Sequence, residues 1–219
     1  MAGSKGHGIG RGWSLGHGGG LERREGERSD AARNRGRILR AARRLFGEKG
    51  VTRVTMEEVA REAGVGKGTL YRRFPHKGFL CQALLDEPTR EFQKETLEIV
   101  GGSGRDALAK LDAFLDRLVY FLDDNLDLFY GGHEPLSGAE RLAQLSHPAH
   151  DWLRSTVLGL LRLAEREGGI KRPLDLEYLA TAILAPLETD LYYHQRRVLG
   201  YSTGRVSAGV RSLVSAALR

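Results

Sequence analysis

Residues 55–74 read TMEEVAREAGVGKGTLYRRF, and the fold turns on this stretch. Thr55 is followed three residues later by Glu58. A hydroxyl at the N-cap with an acid at N3 is the reciprocal pairing that opens a helix. That helix carries Val59 and Ala60 and stops at Gly64. A second, short helix follows over about 66–74. Pro75 closes it, because the residue before a proline leaves the helical region. Helix, tight turn and short helix make the layout whose second helix can enter the major groove of DNA. Val59, Ala60, Val65 and Leu70 are the apolar positions that lock the pair, and Ala60 is small enough for a close crossing.

Lys67, Gly68, Thr69, Tyr71, Arg72 and Arg73 are left to share the exposed face. Each type has a use against DNA. Lys67 adds its charge to the helix dipole's attraction for phosphate. Gly68 lets backbone approach a base edge or phosphate. Thr69 offers a hydroxyl to phosphate and a methyl to thymine. Tyr71 can donate to phosphate while its ring packs on the sugar. Arg72 can fork onto guanine O6 and N7. Arg73 is expected either on this face or turned inward toward an acidic partner. Thr55, at the start of the first helix, and Lys77, at the start of the next, complete the candidate DNA contacts.

Working outward, Ile38, Leu39, Ala42, Leu45 and Phe46 recur at helical spacing, which predicts a helix over about 35–49. Gly50 ends it, with Lys49 favourably set against the C-terminal dipole. Residues 1–33 are rich in glycine and poor in large apolar side chains, so they are expected to be a disordered extension. Two readings stay open for it: a basic arm lying along DNA, or an inert extension. Over residues 1–82 there are 18 Lys and Arg against 8 Asp and Glu; over 83–219 there are 16 against 20. A basic front and a mildly acidic rear point to polyanion contact at one end.

Downstream, a fourth helix opens near Lys77, and Pro88 is expected to kink it or interrupt it briefly. Five more helical stretches follow at about 105–124, 135–145, 148–167, 175–199 and 205–218, separated by Gly and Pro clusters. No stretch joins strong alternation to β-branched enrichment, so no sheet is expected. The predicted fold is all-α. Its organisation is an extension over 1–33, a three-helix helix-turn-helix DNA-binding domain over 34–80, and a helical ligand-binding and dimerisation domain over 81–219.

The run ILRAARRLFGEKGVTRVTMEEVAREAGVGKGTLYRRFPHKGFL resembles the tetracycline-repressor (TetR) family of bacterial transcriptional regulators. The resemblance rests on the two alanines before Leu45-Phe46, then Gly50, Thr55, Val59-Ala60 and Ala63-Gly64-Val65. Lys67-Gly68-Thr69-Leu70-Tyr71, Phe74 and Lys77 complete it. It implies a three-helix DNA-binding head on a larger helical body that dimerises and holds a pocket for a small-molecule effector. It further implies a palindromic operator in double-stranded DNA and repression relieved by the ligand; activation, or ligand-independent DNA binding on the same fold, remains the alternative. Two positions depart from the family pattern. Gly66 stands where a serine commonly caps the reading helix, and Gly78 where an acid often follows the lysine. The second puts a glycine inside a helix, at ~1 kcal/mol relative to Ala, and implies a looser joint between head and body.

In the body, Leu176, Leu179, Ala180, Ile183, Leu184, Leu187, Leu191, Val206, Val210, Leu213, Val214 and Leu218 supply apolar surface. The resemblance assigns these last two long helices to the contact between copies; filling the core of one chain is the other reading. Phe92, Phe114, Tyr120, Phe121, Tyr130 and Trp152 are candidate ligand-lining residues, with core packing as the alternative. His147 and His150 are three apart, but Pro148 and the lack of a third ligand argue against a metal, and no cofactor is expected. A nucleophile elbow, a phosphate-cradling Gly loop and a Cys-His cluster are all absent, which argues against an enzyme. The single cysteine, Cys81, excludes an intrachain disulfide and fits a reducing, cytoplasmic setting. No apolar run is long enough for a bilayer, so no membrane partner is expected.

Overall fold

A computed structural model describes residues 19–132, 148–170 and 173–218 of the chain. Among these residues every regular element is helical. The head contains α1 (Gly19–Lys49), α2 (Met56–Ala63) and α3 (Lys67–Arg73). α4 (Lys77–Gly101) leads out of it. The body adds α5 (Ala107–Asp124), α6 (Leu126–Gly131) and α7 (Pro148–Arg166). It continues with α8 (Leu176–Leu184), a 3₁₀ turn (Ala185–Leu187), α9 (Thr189–Tyr193), a π turn (His194–Val198) and α10 (Thr203–Leu218).

α1 begins about 16 residues before its expected start near Arg35, so residues 19–33 are helical rather than an irregular extension. Its apolar stripe starts only at Ile38, which is why periodicity placed the start late. Extending a formed helix fixes one residue per new hydrogen bond, far cheaper than starting one. Residues 1–18 and the helix expected at 135–145 lie outside the described residues.

The head closes on one apolar cluster. Ile38, Ala42, Leu45 and Phe46 of α1 meet Val59, Ala60 and Ala63 of α2, Leu70 of α3, and Leu80, Cys81 and Leu84 of α4. α4 continues through Pro88 without the short interruption that was one of the two expected outcomes, the other being a kink. Pro88 costs the helix one hydrogen bond, but the flanking Leu84 and Phe92 are anchored in the two cores.

In the body, α5 is the central element: Leu111, Phe114, Leu115, Leu118 and Val119 are all essentially inaccessible. α4, α7 and α10 pack around it. This enclosure corrects the sequence reading of the C-terminal helices. Leu176, Ala180, Ile183, Leu184, Leu187, Val206, Val210, Val214 and Leu218 are buried within one chain, Leu179 is half-buried, and only Leu191 and Leu213 stay exposed. The helical stretch over 175–199 is interrupted at Pro186, whose ring and missing N–H divert it into the 3₁₀ turn. The π turn beyond α9 presents Arg196 to Asp123 at 2.5 Å, and Thr203 donates to the same carboxylate at 2.6 Å. Tyr192, buried beside them, donates to the Val119 carbonyl at 3.1 Å.

Head and body meet at α6. A Cβ at Gly78 would sit 2.7 Å from the Gly132 carbonyl oxygen, and one at Gly132 would sit 3.1 Å from the Cys81 Cβ. Gly78 therefore permits a close joint, not the looser one its departure from the family pattern implied. The missing side chain admits a backbone carbonyl of the body.

Candidate nucleic-acid interface

The helix-turn-helix is built from capping and one tight turn. Thr55 accepts from the Glu58 N–H at 3.2 Å, while the Glu58 carboxylate accepts from the Thr55 N–H at 2.8 Å. Lys49 donates to the other Glu58 oxygen at 2.9 Å. That ammonium first, and the Thr55 N–H after it, hold the Glu58 carboxyl down at about 2. Gly64 takes φ 61°, a left-handed position where a side chain would be strained, and turns the chain toward α3. Arg37 donates to the Gly64 carbonyl at 3.0 Å, so α1 braces the turn. The sequence reading missed Arg37, because a 27-residue separation carries no local signal.

α3 buries Leu70 alone and leaves Lys67, Gly68, Tyr71, Arg72 and Arg73 exposed, with Thr69 half-buried. A Cβ at Gly68 would meet nothing within 4 Å, so this position opens outward. Thr69, Arg72 and Arg73 line a groove of about 500 Å³ against Asp30, Ala31 and Asn34 of α1. Arg73 thus shares the outer face and makes no ion pair among the described residues. The Tyr71 hydroxyl donates to Glu57 at 3.0 Å, and Lys67 lies 3.8 Å from the same carboxylate. Glu57 escaped the sequence reading, which ranked no acidic side chain on this surface.

Two expected contacts are placed differently. Lys77 turns inward: its ammonium donates to the Val51 and Thr52 carbonyls at 3.0 and 3.3 Å. It fastens α4 to the turn after α1, because those carbonyls lack helical partners, and it is not aimed at phosphate. Thr55 is exposed, but its hydroxyl is already engaged as the cap.

The candidate ligand-lining aromatics divide. Phe92, Phe114 and Phe121 are buried, with Phe92 stacked on Phe121 at 4.4 Å and edge-on to Trp152 at 5.8 Å. Tyr130 stacks on Tyr193 at 3.6 Å. Tyr120 is 44% exposed on the outside of α5 and does not join them. His150 lies 3.5 Å from Glu188, and His147 falls outside the described residues. Among the described residues no three side chains are grouped as a metal site, and no helix is long and apolar enough to cross a membrane.

Residues 38–84, which hold this helix-turn-helix, match the family model for bacterial regulatory proteins of the tetR family. The likeness to that family lies in the head, over residues 38–84. Over 103 residues it is 36% identical to an HTH-type transcriptional regulator of Staphylococcus aureus strain bovine RF122 / ET3-1, covering 47% of this chain and 55% of that protein. Over 54 residues it is 50% identical to an HTH-type transcriptional regulator of Staphylococcus aureus strain USA300, covering 25% of this chain and 29% of that protein. The matches thus span about half the length of the first curated relative and less of the second. A likeness of fold extends through the body. The solved structure of the fatty acid degradation regulator FadR from Bacillus halodurans superposes with a TM-score of 0.59 at 20% identity, over 82% of this chain and 93% of that one. At that identity the likeness is one of fold.

Proposed function

We propose that this chain is a tetR-family, sequence-specific DNA-binding transcriptional regulator of the cytoplasm, a homodimeric repressor released by a small-molecule ligand in its body. The observation that carries the reading is the outer face of α3. Lys67, Tyr71, Arg72 and Arg73 stand exposed there while Leu70 alone anchors the helix. Cations and a phenol on a short helix braced from behind are the equipment for phosphate contact and base readout. The similarity of the head to HTH-type transcriptional regulators supports the same role.

One reading helix spans few base pairs, so two heads must act together to specify a site. The outer face of α10 supports the pairing. Ala208, Gly209, Ser212, Leu213 and Ala216 are exposed there, and Leu213 is 65% accessible. Small uncharged side chains around one leucine let a second helix approach closely. Ligand release would act through the joint at α6, where body backbone touches Gly78 and Cys81 on α4. A ligand that favours one arrangement of α6 would shift α4 and the spacing of the two heads.

The test selects binding sites from random duplex DNA at defined salt and measures the chain's mass in solution. The expected product is a palindrome with half-sites about 34–36 Å apart or a near multiple. Leu213→Glu should yield monomers and lose operator binding. Recovery of no preferred sequence would overturn the reading.

A further inference from the structure

Glu57 stands in the first turn of α2, beside the capping Glu58 but outside the capping box. Its carboxylate faces α3. One oxygen accepts the Tyr71 hydroxyl at 3.0 Å, and the Lys67 ammonium lies 3.8 Å from that same oxygen. All three side chains are exposed to solvent to a similar or greater degree than a third of their surface. Tyr71 and Lys67 are the two groups of α3 suited to phosphate. In the free chain, then, an internal anion holds the two groups that a phosphate would need.

We propose that Glu57 is a specificity-determining residue of the DNA face, an internal competitor that penalises contacts made through phosphate alone. The inference rests on the DNA-reading role proposed above and deepens it. A phosphate reaching Tyr71 or Lys67 must displace the carboxylate and then remain a few ångströms from it. Like charges at such spacing repel even in water, and less screening at a closed interface strengthens the effect. On a preferred sequence, base contacts from Arg72 and Thr69 set the register of α3, and the complex depends less on phosphates beside Glu57. On a random sequence α3 is held by phosphates alone, Tyr71 and Lys67 among the groups that reach them, so the carboxylate's repulsion falls mainly there. Glu57 therefore lowers affinity most where no base is read, and the ratio between the two rises.

The test uses the full chain, the selected operator and a random-sequence duplex of equal length, each titrated over a salt series. Glu57→Gln keeps an oxygen that can accept from Tyr71 and removes only the charge. It should tighten binding to the random duplex by roughly three- to tenfold, the scale of one or two exposed charge contacts. The salt slope on that duplex should steepen by about one as Lys67 is released to a phosphate. Operator affinity should rise less, so the specificity ratio falls. In a Lys67→Gln background the steepening should vanish, which separates competition from any change in folding. If wild type binds the random duplex and Glu57→Gln binds it equally or more weakly, the inference is overturned and the DNA-reading role stands. If the wild-type chain binds neither duplex, both are overturned.

Discussion

Gly131, the last residue of α6, lies directly against Val51, the first residue of the turn after α1. A Cβ added at Gly131 would come within 2.6 Å of the Val51 Cβ. The body thus touches the head through a glycine, and the head answers with a buried β-branched side chain. Gly131→Ala should overpack this contact and destabilise the chain by about 1–3 kcal/mol. Val51→Ala in the same chain should restore part of the loss, because the two changes share one contact. Urea unfolding of both single variants and the double variant measures the coupling. Strict additivity would show that the contact is not close-packed.

Lys77 closes the same joint from α4. Lys77→Met keeps much of the stem and strands the Val51 and Thr52 carbonyls, at a cost of about 1–2 kcal/mol in thermal or denaturant unfolding. The salt slope of DNA binding should not move. A slope shallower by about one would place the ammonium on a phosphate instead.

Arg72 is the exposed cation of α3 best suited to a guanine edge. Arg72→Ala should weaken operator binding by about 1–3 kcal/mol and relax the preference at one base pair per half-site. Repeating the site selection with the variant reads this out. An equal loss on all sequences would mark Arg72 as a phosphate contact.

The Glu58 carboxyl sits at about 2 in the folded head against its ordinary 4.5, mainly because Lys49 donates to it. A depressed folded value means the carboxylate's contribution is complete above pH 4.5 and is lost as pH falls toward 2. Wild type should therefore lose stability across that window more steeply than Glu58→Gln. Circular dichroism against denaturant at several acidic pH values measures the difference. Parallel pH profiles would mean that the capping box is not formed in solution.

Cys81 is buried at the joint, and burial pushes its thiol up to about 11. It should stay inert to Ellman's reagent at mildly alkaline pH and react fully in guanidinium. Rapid labelling of the native chain would show that the joint opens readily.

The helix-turn-helix was legible because its signals are local. The cap at Thr55, the breaker at Gly64 and the proline after Phe74 each act within one turn of chain. The apolar positions of α1, α2 and α3 likewise named the side chains that now fill the head's core, including Ile38, Phe46, Val59 and Leu70. The start of α1 was not legible, since its sequence carries no regular apolar stripe before Ile38.

What the order of residues determined alone is therefore the all-helical class, the reading helix and its outward side chains, because capping, turn chemistry and helical period are properties of neighbours in the chain. Tertiary structure alone decided which partner each of those side chains meets. Lys77 turned to the Val51 carbonyl, Glu57 reached Tyr71, Arg37 reached Gly64, and most of the apolar C-terminal helices went into the core of one chain. Hydrogen bonds and burial act over a few ångströms of space, whatever the distance along the chain, and only the folded molecule sets that space.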